Sequence, residues 1–582
     1  MDHPRKSAQP AASTNRVPTV RSNPVIKRSV SSATAGIHNQ TGSGPTDQPQ
    51  EPNKQALHYS LQMKNALTEL LNDVRAKGSD QGSRCLQNIL MENERELTAS
   101  DLAKLARVSH ELNDLATPYL YQTVHFHSPG RIKPDDQLLS QLDILGNLHF
   151  NKLVYTRRVV VSGSWYEAYA AIDSELGEHQ ILSPAARMFS NIIRNCIQRM
   201  PNLEEFIWDM QVSLTQVLLT TVLLQQRLRC LRIRMGTDCT PKPFFRPTLH
   251  LHTTVKLRVM HLTQVDNVVV LQSLGVALKH ATQLERLSIW ADDRAELSIS
   301  SLVEDWHKPA PFRLRSLDIR GFSDIGIPAK SMWAAIPPTE LRELTLELGP
   351  SLLVQDPTEF WDASVEADLR PLRLRVNLGI KGIQEFISSF SGLEAFHLVP
   401  SDTLRPMEPI RVLVDALRRH HSSTLKVLGL SPFLDGSKYV LDVPDIKYLV
   451  GALPDIEELR VSQASLNQVR LCSSRCYFGL SLTRFPHQEF MQIALLLPRL
   501  RVAQIDLVHE DPATESIFLD FIVYLLRKGY ARNLTYVAFD DTTVREIRRN
   551  PIRLSDGVSR VGYVGGTVLL NEEVFDWVRT SF

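Results

Sequence analysis

Between Leu203 and Phe539 one hydrophobic phrase keeps returning: an apolar residue, two variable positions, an apolar residue, one variable position, an apolar residue. It reads LEEFIW at Leu203, LRCLRI at Leu228, LRVMHL at Leu257, LERLSI at Leu284, LRSLDI at Leu314 and LRELTL at Leu341. It continues as LRPLRL at Leu369, LEAFHL at Leu393, LKVLGL at Leu425, IEELRV at Ile456, LRVAQI at Leu500 and LTYVAF at Leu534. Positions four and six lie two residues apart, so in an extended strand both point to one face. Positions three, five and seven point to the other. Helical spacing fills the stretches between phrases, as in VVVLQSLGVALKHATQ before Leu284 and MEPIRVLVDALRRHHSS before Leu425. The first six phrases start 25 to 30 residues apart. A gap of 44 between Ile456 and Leu500 leaves room for one more turn, at YFGLSL from Tyr477.

One such strand-and-helix unit does not fold alone. Ordering ~25 residues costs about 1–2 kcal/mol each in backbone entropy. Burying about six large apolar side chains returns about 1.5–3 kcal/mol each. Stacked neighbours must complete the core, which defines a solenoid.

Ahead of the phrases lies DLAKLARVSHELNDLATPYLYQTVHF, from Asp101 to Phe126. Leu102, Leu105, Val108, Leu112 and Leu115 share one helical face. Thr98 and Asp101 stand in capping-box relation, with Ser100 as a second cap. Pro118 is expected to end this helix and hold Thr117 extended. Val124 and Phe126 then alternate with His125 and His127, which predicts a short strand with the histidines facing solvent. Further upstream, Leu57, Leu61, Leu67, Leu70, Leu71 and Val74 predict another amphipathic helix, ended by KGSDQGS at 77–83. Residues 1–55 are rich in Ser, Thr, Pro, Gln and Asn and nearly lack large apolar residues, so this tail is expected to be disordered.

Composition sets the surroundings. The chain has 582 residues, 65 basic against 64 acidic, and a formal charge of +1. That balance argues against a dedicated nucleic-acid binder. Six cysteines in this length do not make a disulfide scaffold and fit a reducing compartment, cytoplasmic or nuclear. The N-terminal MDHPRKSAQP has no apolar signal core, and no apolar run nears the ~20 residues that span a bilayer, so no membrane partner is expected.

The repeated phrase resembles a leucine-rich repeat, without the asparagine that usually follows it. Trp290, Ala291 and Asp292 follow one phrase, and Arg320, Gly321 and Phe322 another. The stretch 101–126 resembles the later two-thirds of an F-box, in the form found ahead of divergent leucine-rich repeats in fungal proteins. Asp101, Leu102, Leu105, Val108, Ser109, Leu120, Tyr121 and Val124 match that pattern, and Leu112 stands where an aromatic residue is usual. Ile89, Leu90 and Leu97 fit its earlier apolar slots, while Cys85 and Leu86 replace its Leu-Pro pair.

The expected fold is therefore α/β: an irregular leucine-rich-repeat solenoid with an N-terminal, all-helical F-box-like unit and a disordered tail. Its parts are the tail (1–55), an amphipathic helix and linker (56–82), the F-box-like unit (83–128), the solenoid (129–554) and a C-terminal hairpin and helix cap (555–582). The resemblance implies a Skp-type adaptor as partner, met by Ile89, Leu90, Leu97, Leu102, Leu105, Val108 and Leu112. It also implies a subunit that presents a protein target to a cullin-type ubiquitin ligase; a repeat scaffold without ligase function is the alternative. The target would meet positions three, five and seven on the concave sheet: Arg286, Ser288 and Trp290, then Ser316, Asp318 and Arg320, then Glu343, Thr345 and Glu347. Trp and Arg among mixed charges suit a protein partner.

No phosphate loop, zinc-protease helix, nucleophile elbow or calcium loop is present, so binding rather than catalysis is expected, with no cofactor or metal. Cys472 and Cys476 lack a second pair of zinc ligands and read as structural thiols. His420 and His421 read as favourable charges at a helix C-terminus. Gly565-Gly566 reads as a hairpin turn.

Overall fold

The structure, a computed structural model, describes residues 102–398 with gaps, then 410–430, 443–462, 497–506, 533–538, 543–553 and 559–570. The longer gaps before 398 are 167–181, 237–245, 248–254 and 350–356. The expected tail, the helix from Leu57 to Val74 and the pair Cys472 and Cys476 lie outside the described residues.

Helix α1 (His110–Leu120) leads into strand β1 (Thr123–Ser128). Then come α2 (Asp136–Gly146), β2 (Arg158–Tyr166), α3 (Pro184–Gln198), β3 (Glu205–Gln211), α4 (Gln216–Leu223) and β4 (Cys230–Arg234). Next are β5 (Val259–Val265), α5 (Val268–Leu278), β6 (Arg286–Ala291), α6 (Ser300–Val303), β7 (Ser316–Phe322), α7 (Ala329–Ala335) and β8 (Glu343–Leu348). The series runs on through α8 (Pro357–Glu366), β9 (Arg373–Val376), α9 (Ile383–Ser388), β10 (Ala395–Leu398), α10 (Ile410–His421), β11 (Val427–Leu430), α11 (Val443–Ala452) and β12 (Glu458–Ser462). Strands β13 (Val502–Asp506), β14 (Tyr536–Ala538), β15 (Thr543–Arg553) and β16 (Ser559–Leu570) complete the described elements.

All these strands form one sheet in sequence order. Every pairing from β1 to β14 is parallel, and the last two are antiparallel. A parallel sheet whose neighbours are always consecutive is a solenoid-like repeat, because each unit pairs only with the next. Consecutive helices pack on one another in the same way.

The apolar phrase builds the core. Leu284, Leu287 and Ile289 are buried, as are Leu314, Leu317, Ile319, Leu341, Leu344 and Leu346. They join helix residues such as Leu271, Leu274 and Leu278 in one continuous cluster reaching from Val124 to Val537. Helix starts are fixed by side-chain caps, which satisfy amides that no helical carbonyl reaches. Ser183 Oγ accepts from Ala186 N at 3.1 Å, with Pro184 at the first helical position. Thr215 Oγ1 accepts from Leu218 N at 3.2 Å, and Asn267 Oδ1 from Val269 N at 2.7 Å.

A backbone device recurs at the start of the strands. At each turn one carbonyl accepts two successive amides of the next unit. Glu285 O accepts from Arg315 N and Ser316 N, Arg315 O from Arg342 N and Glu343 N, and Arg342 O from Leu372 N and Arg373 N. The same fork recurs at Glu204, Arg229, Arg258, Leu372, Glu394, Lys426 and Arg501. It needs no particular side chain, which is why the sequence around it varies. One asparagine does act as the repeat consensus would have it: buried Asn377 takes the backbone N–H of Leu348 on its Oδ1 at 2.7 Å and returns its own amide to Leu348 O.

Several expectations need correction. The helix expected across 102–117 is interrupted at Ser109, which is extended and caps α1 by accepting from Leu112 N at 3.1 Å. Leu112 and Leu115 thus belong to a different helix from Leu102. Pro118 sits inside α1 rather than ending it. It lies in the last turn, so it removes a single N–H, and Tyr121 N still closes onto Thr117 O at 3.1 Å. The phrase at Leu369 is displaced by two: Leu374 and Val376 align with Leu344 and Leu346, and Leu372 is only half-buried. A slip of two keeps every side chain on its face, so alternation alone does not detect it. The extra turn at Tyr477 lies outside the described residues; β12 pairs directly with β13, Glu458 opposite Val502. Gly565 lies within β16 opposite Ile547, beside a register shift, rather than in a hairpin turn. His421 is buried, accepting from Leu393 N on Nδ1 at 3.1 Å while Nε2 meets Ile387 O at 2.9 Å. That pairing needs the neutral ring, and burial holds its pKa below the ordinary value, so the helix dipole does not explain it.

Candidate interaction site

Strand alternation places positions three, five and seven of each phrase on the sheet face turned away from the helices, and the register lines them into rows. One row is Arg286, Ser316, Glu343 and Arg373. The next is His261, Ser288, Asp318, Thr345, Arg375 and His397. The third brings Trp290, Arg320 and Glu347 side by side.

Asp318 is the hub. Its carboxylate accepts from Ser288 Oγ at 3.1 Å, Trp290 Nε1 at 3.0 Å and Arg320 Nε at 2.8 Å. The Arg320 guanidinium lies 4.5 Å from the Trp290 ring centroid and reaches Glu347 Oε2 at 3.7 Å. Glu347 is bonded in turn by Arg375. The His261 ring meets Trp290 edge-on, centroids 4.9 Å apart. His397 lies over Gly429 of the next strand: a Cβ there would come within 2.2 Å of its ring.

These groups are buried despite their charge, with Asp318 only 6% exposed and His261 and His397 each 2%. Burial, then Arg232 and Arg320, push His261 down to about 3. Burial, then Arg375, Arg460 and Arg320, hold His397 well below its ordinary value. Both rings are therefore neutral near pH 7. Burial alone pushes the Glu347 carboxyl up, but Arg375 and Arg320, with Arg460 beyond, hold it below the usual carboxylate range. Other ion pairs tie strands together on the same face. Glu205 meets Arg158 at 3.1 Å and Arg232 at 3.5 Å, and buried Glu458 meets Arg501 at 2.6 Å.

Four of the expected target-binding residues, Trp290, Asp318, Arg320 and Glu347, are thus brought together. Arg286 and Glu343 lie one row away, Arg286 exposed and Glu343 facing Arg373 at 3.9 Å. Trp290 is half-buried with its N–H engaged. The inner rows therefore act as a rigid floor, and Arg286, Glu343 and Arg373 remain the reachable rim. Sequence reasoning did not name Arg375: the phrase at Leu369 puts it at position seven, level with Glu347, whereas the slip at β9 sets it opposite Thr345, from where it bonds Glu347. Among the expected adaptor residues, Ile89, Leu90, Leu97, Leu105 and Val108 lie outside the described residues. Leu102 is half-buried, and Leu112 is 2% exposed within its own chain.

No protein-family model matches the chain, and no curated protein matches it. Among the described residues no helix is long and apolar enough to cross a membrane.

Proposed function

We propose that this chain is a recognition subunit that holds a protein target against the polar face of its sheet and joins a Skp-type adaptor of a cullin ubiquitin ligase through its F-box-like segment. The observation that carries the target-binding half is the interlocked floor of Trp290, Asp318, Arg320, Glu347 and Arg375 beneath the rim of Arg286, Glu343 and Arg373. A pre-ordered surface loses little entropy on association, and mixed charge discriminates between protein partners. The adaptor half rests on the resemblance at 101–126 and on the apolar slots Ile89, Leu90 and Leu97.

One observation favours the non-ligase scaffold as a second reading. Helix α1 runs within three residues into β1, and β1 is the first strand of the sheet, so the F-box-like stretch also serves the solenoid. Buried Leu112 would then position α1 rather than touch a partner. Co-purification of the full chain from a fungal extract decides between the two. The ligase reading expects a Skp-type protein with wild type and its loss with Leu90→Asp. Recovery of other partners with no Skp-type protein from wild type supports the scaffold and overturns the ligase assignment.

A further inference from the structure

At the first edge of the sheet, apart from the floor around Asp318, two imidazoles aim at one point. His125 and His127 alternate with buried Val124 and Phe126, so both rings stand on the same exposed face of β1. Across the strand pair, His127 is opposite Ser162. His125 Nε2 lies 2.7 Å and His127 Nδ1 3.0 Å from Ser162 Oγ. The ring centroids are 5.5 Å apart. A hydroxyl carries one proton, so Ser162 donates to one ring and accepts an N–H from the other. Two nitrogens therefore converge on a single oxygen, and one of them already presents its lone pair there.

We propose that His125 and His127 form an open two-imidazole site for a borderline divalent cation of the zinc, copper or nickel class, seated in front of Ser162, with water or a ligand from a bound partner completing its coordination. Imidazole nitrogen suits these metals, which take it at ~2.0–2.1 Å. His125 Nε2 at 2.7 Å and His127 Nδ1 at 3.0 Å both face Ser162 Oγ, so the two nitrogens converge on the space a cation in front of that oxygen would take. His125 and His127 are also among the residues lining a cavity of about 660 Å³ between β1 and α2, with Gln137, Ser140 and Gln141. Gln141 Nε2 donates to His125 O at 2.8 Å, which fixes the strand under the first ring. Arg158, on the same strand as Ser162, is held by Glu205 at 3.1 Å. Among the described residues no three His, Cys, Asp or Glu side chains gather, so this site is open rather than a closed structural centre.

The test is calorimetric titration of the full chain with zinc, copper(II) and nickel chlorides in a non-coordinating buffer at pH 7.5. The chain has 18 histidines, so variants separate this site from background. One equivalent of metal is expected to bind wild type at least tenfold more tightly than His125→Ala or His127→Ala, with His149→Ala, an exposed histidine elsewhere, unchanged. Both target rings are exposed, so melting curves should match wild type. If a variant fails to fold, the copper(II) electron paramagnetic resonance spectrum of wild type decides instead, with hyperfine structure from two equatorial nitrogens expected. Equal affinity in the His125→Ala, His127→Ala double variant, or a copper spectrum without two nitrogen ligands, overturns the site.

Discussion

Acidification should loosen this protein through His261, and the size of the effect follows from the structure. His261 is buried on the polar face between Arg232 and Arg320, and its folded pKa is about 3 against a reference of 6.5. The folded state refuses a proton that the unfolded chain accepts, so the unfolded state gains as pH falls below 6.5. The contribution is fully present above pH 6.5, declines by about 1.4 kcal/mol per pH unit below it, and levels off near the folded pKa. At pH 5 the loss is about 2 kcal/mol, and at pH 3 about 4 kcal/mol. His261→Gln removes the titrating ring and keeps a polar side chain of similar reach. Urea unfolding of wild type and variant, followed by circular dichroism at pH 7.5, 6.5, 5.5 and 5.0, gives the two slopes. His397, His421 and Glu347 titrate in both proteins and cancel in the difference. The variant is expected to be less stable at pH 7.5 and to lose about 2 kcal/mol less on going to pH 5. Parallel stability curves for the two proteins would refute the reasoning, since His261 would then not be held neutral.

Other outcomes follow from the same geometry. Leu344→Asp places an unpaired carboxylate in the core at a residue 1% exposed and should cost at least about 4 kcal/mol, while Thr345→Asp, on the other face, should stay within about 1 kcal/mol by the same unfolding assay. Asp318→Ala strips the shared acceptor of Ser288, Trp290 and Arg320 and leaves the half-buried Arg320 guanidinium only Glu347, at 3.7 Å, with an expected loss of about 3 kcal/mol and a changed Trp fluorescence maximum. Gly429→Val cannot coexist with the present His397 rotamer and should lower the melting temperature, with the double variant Gly429→Val, His397→Ala recovering part of it.

The strand faces were legible in the sequence because burial at positions four and six is dictated by alternation alone. Leu287, Ile289, Leu317 and Ile319 occupy those positions as expected. Strand β1 was read as a strand but not as part of the repeat, and β2 escaped, because the first position of their phrase is not leucine: Tyr121 precedes Val124 and Phe126, and Thr156 precedes Val159 and Val161. Buried Thr156 fills that slot by donating its hydroxyl to Tyr121 O at 2.9 Å. The break at Ser109 was hidden because its neighbours keep helical spacing on both sides. The rows on the polar face were legible only in part. Which residues share that face follows from parity, but which carboxylate meets which guanidinium depends on register. Register is set here by backbone forks such as Arg342 O to Leu372 N and Arg373 N, which carry no side-chain signature. Burial of charge was illegible for the same reason. Asp318 and His261 become interior residues only once the neighbouring strand β6 brings Trp290 against both.

The central claim, that the rim above this floor receives a protein target, is tested by reversing charge without touching the floor. Arg286→Glu combined with Glu343→Lys alters residues that do not contact Asp318, so the melting curve should match wild type. Proximity labelling with wild type and this variant in the same cells then compares their partners. Loss of one or more wild-type partners at equal expression is the predicted result, and an identical partner list would contradict the assignment of this face.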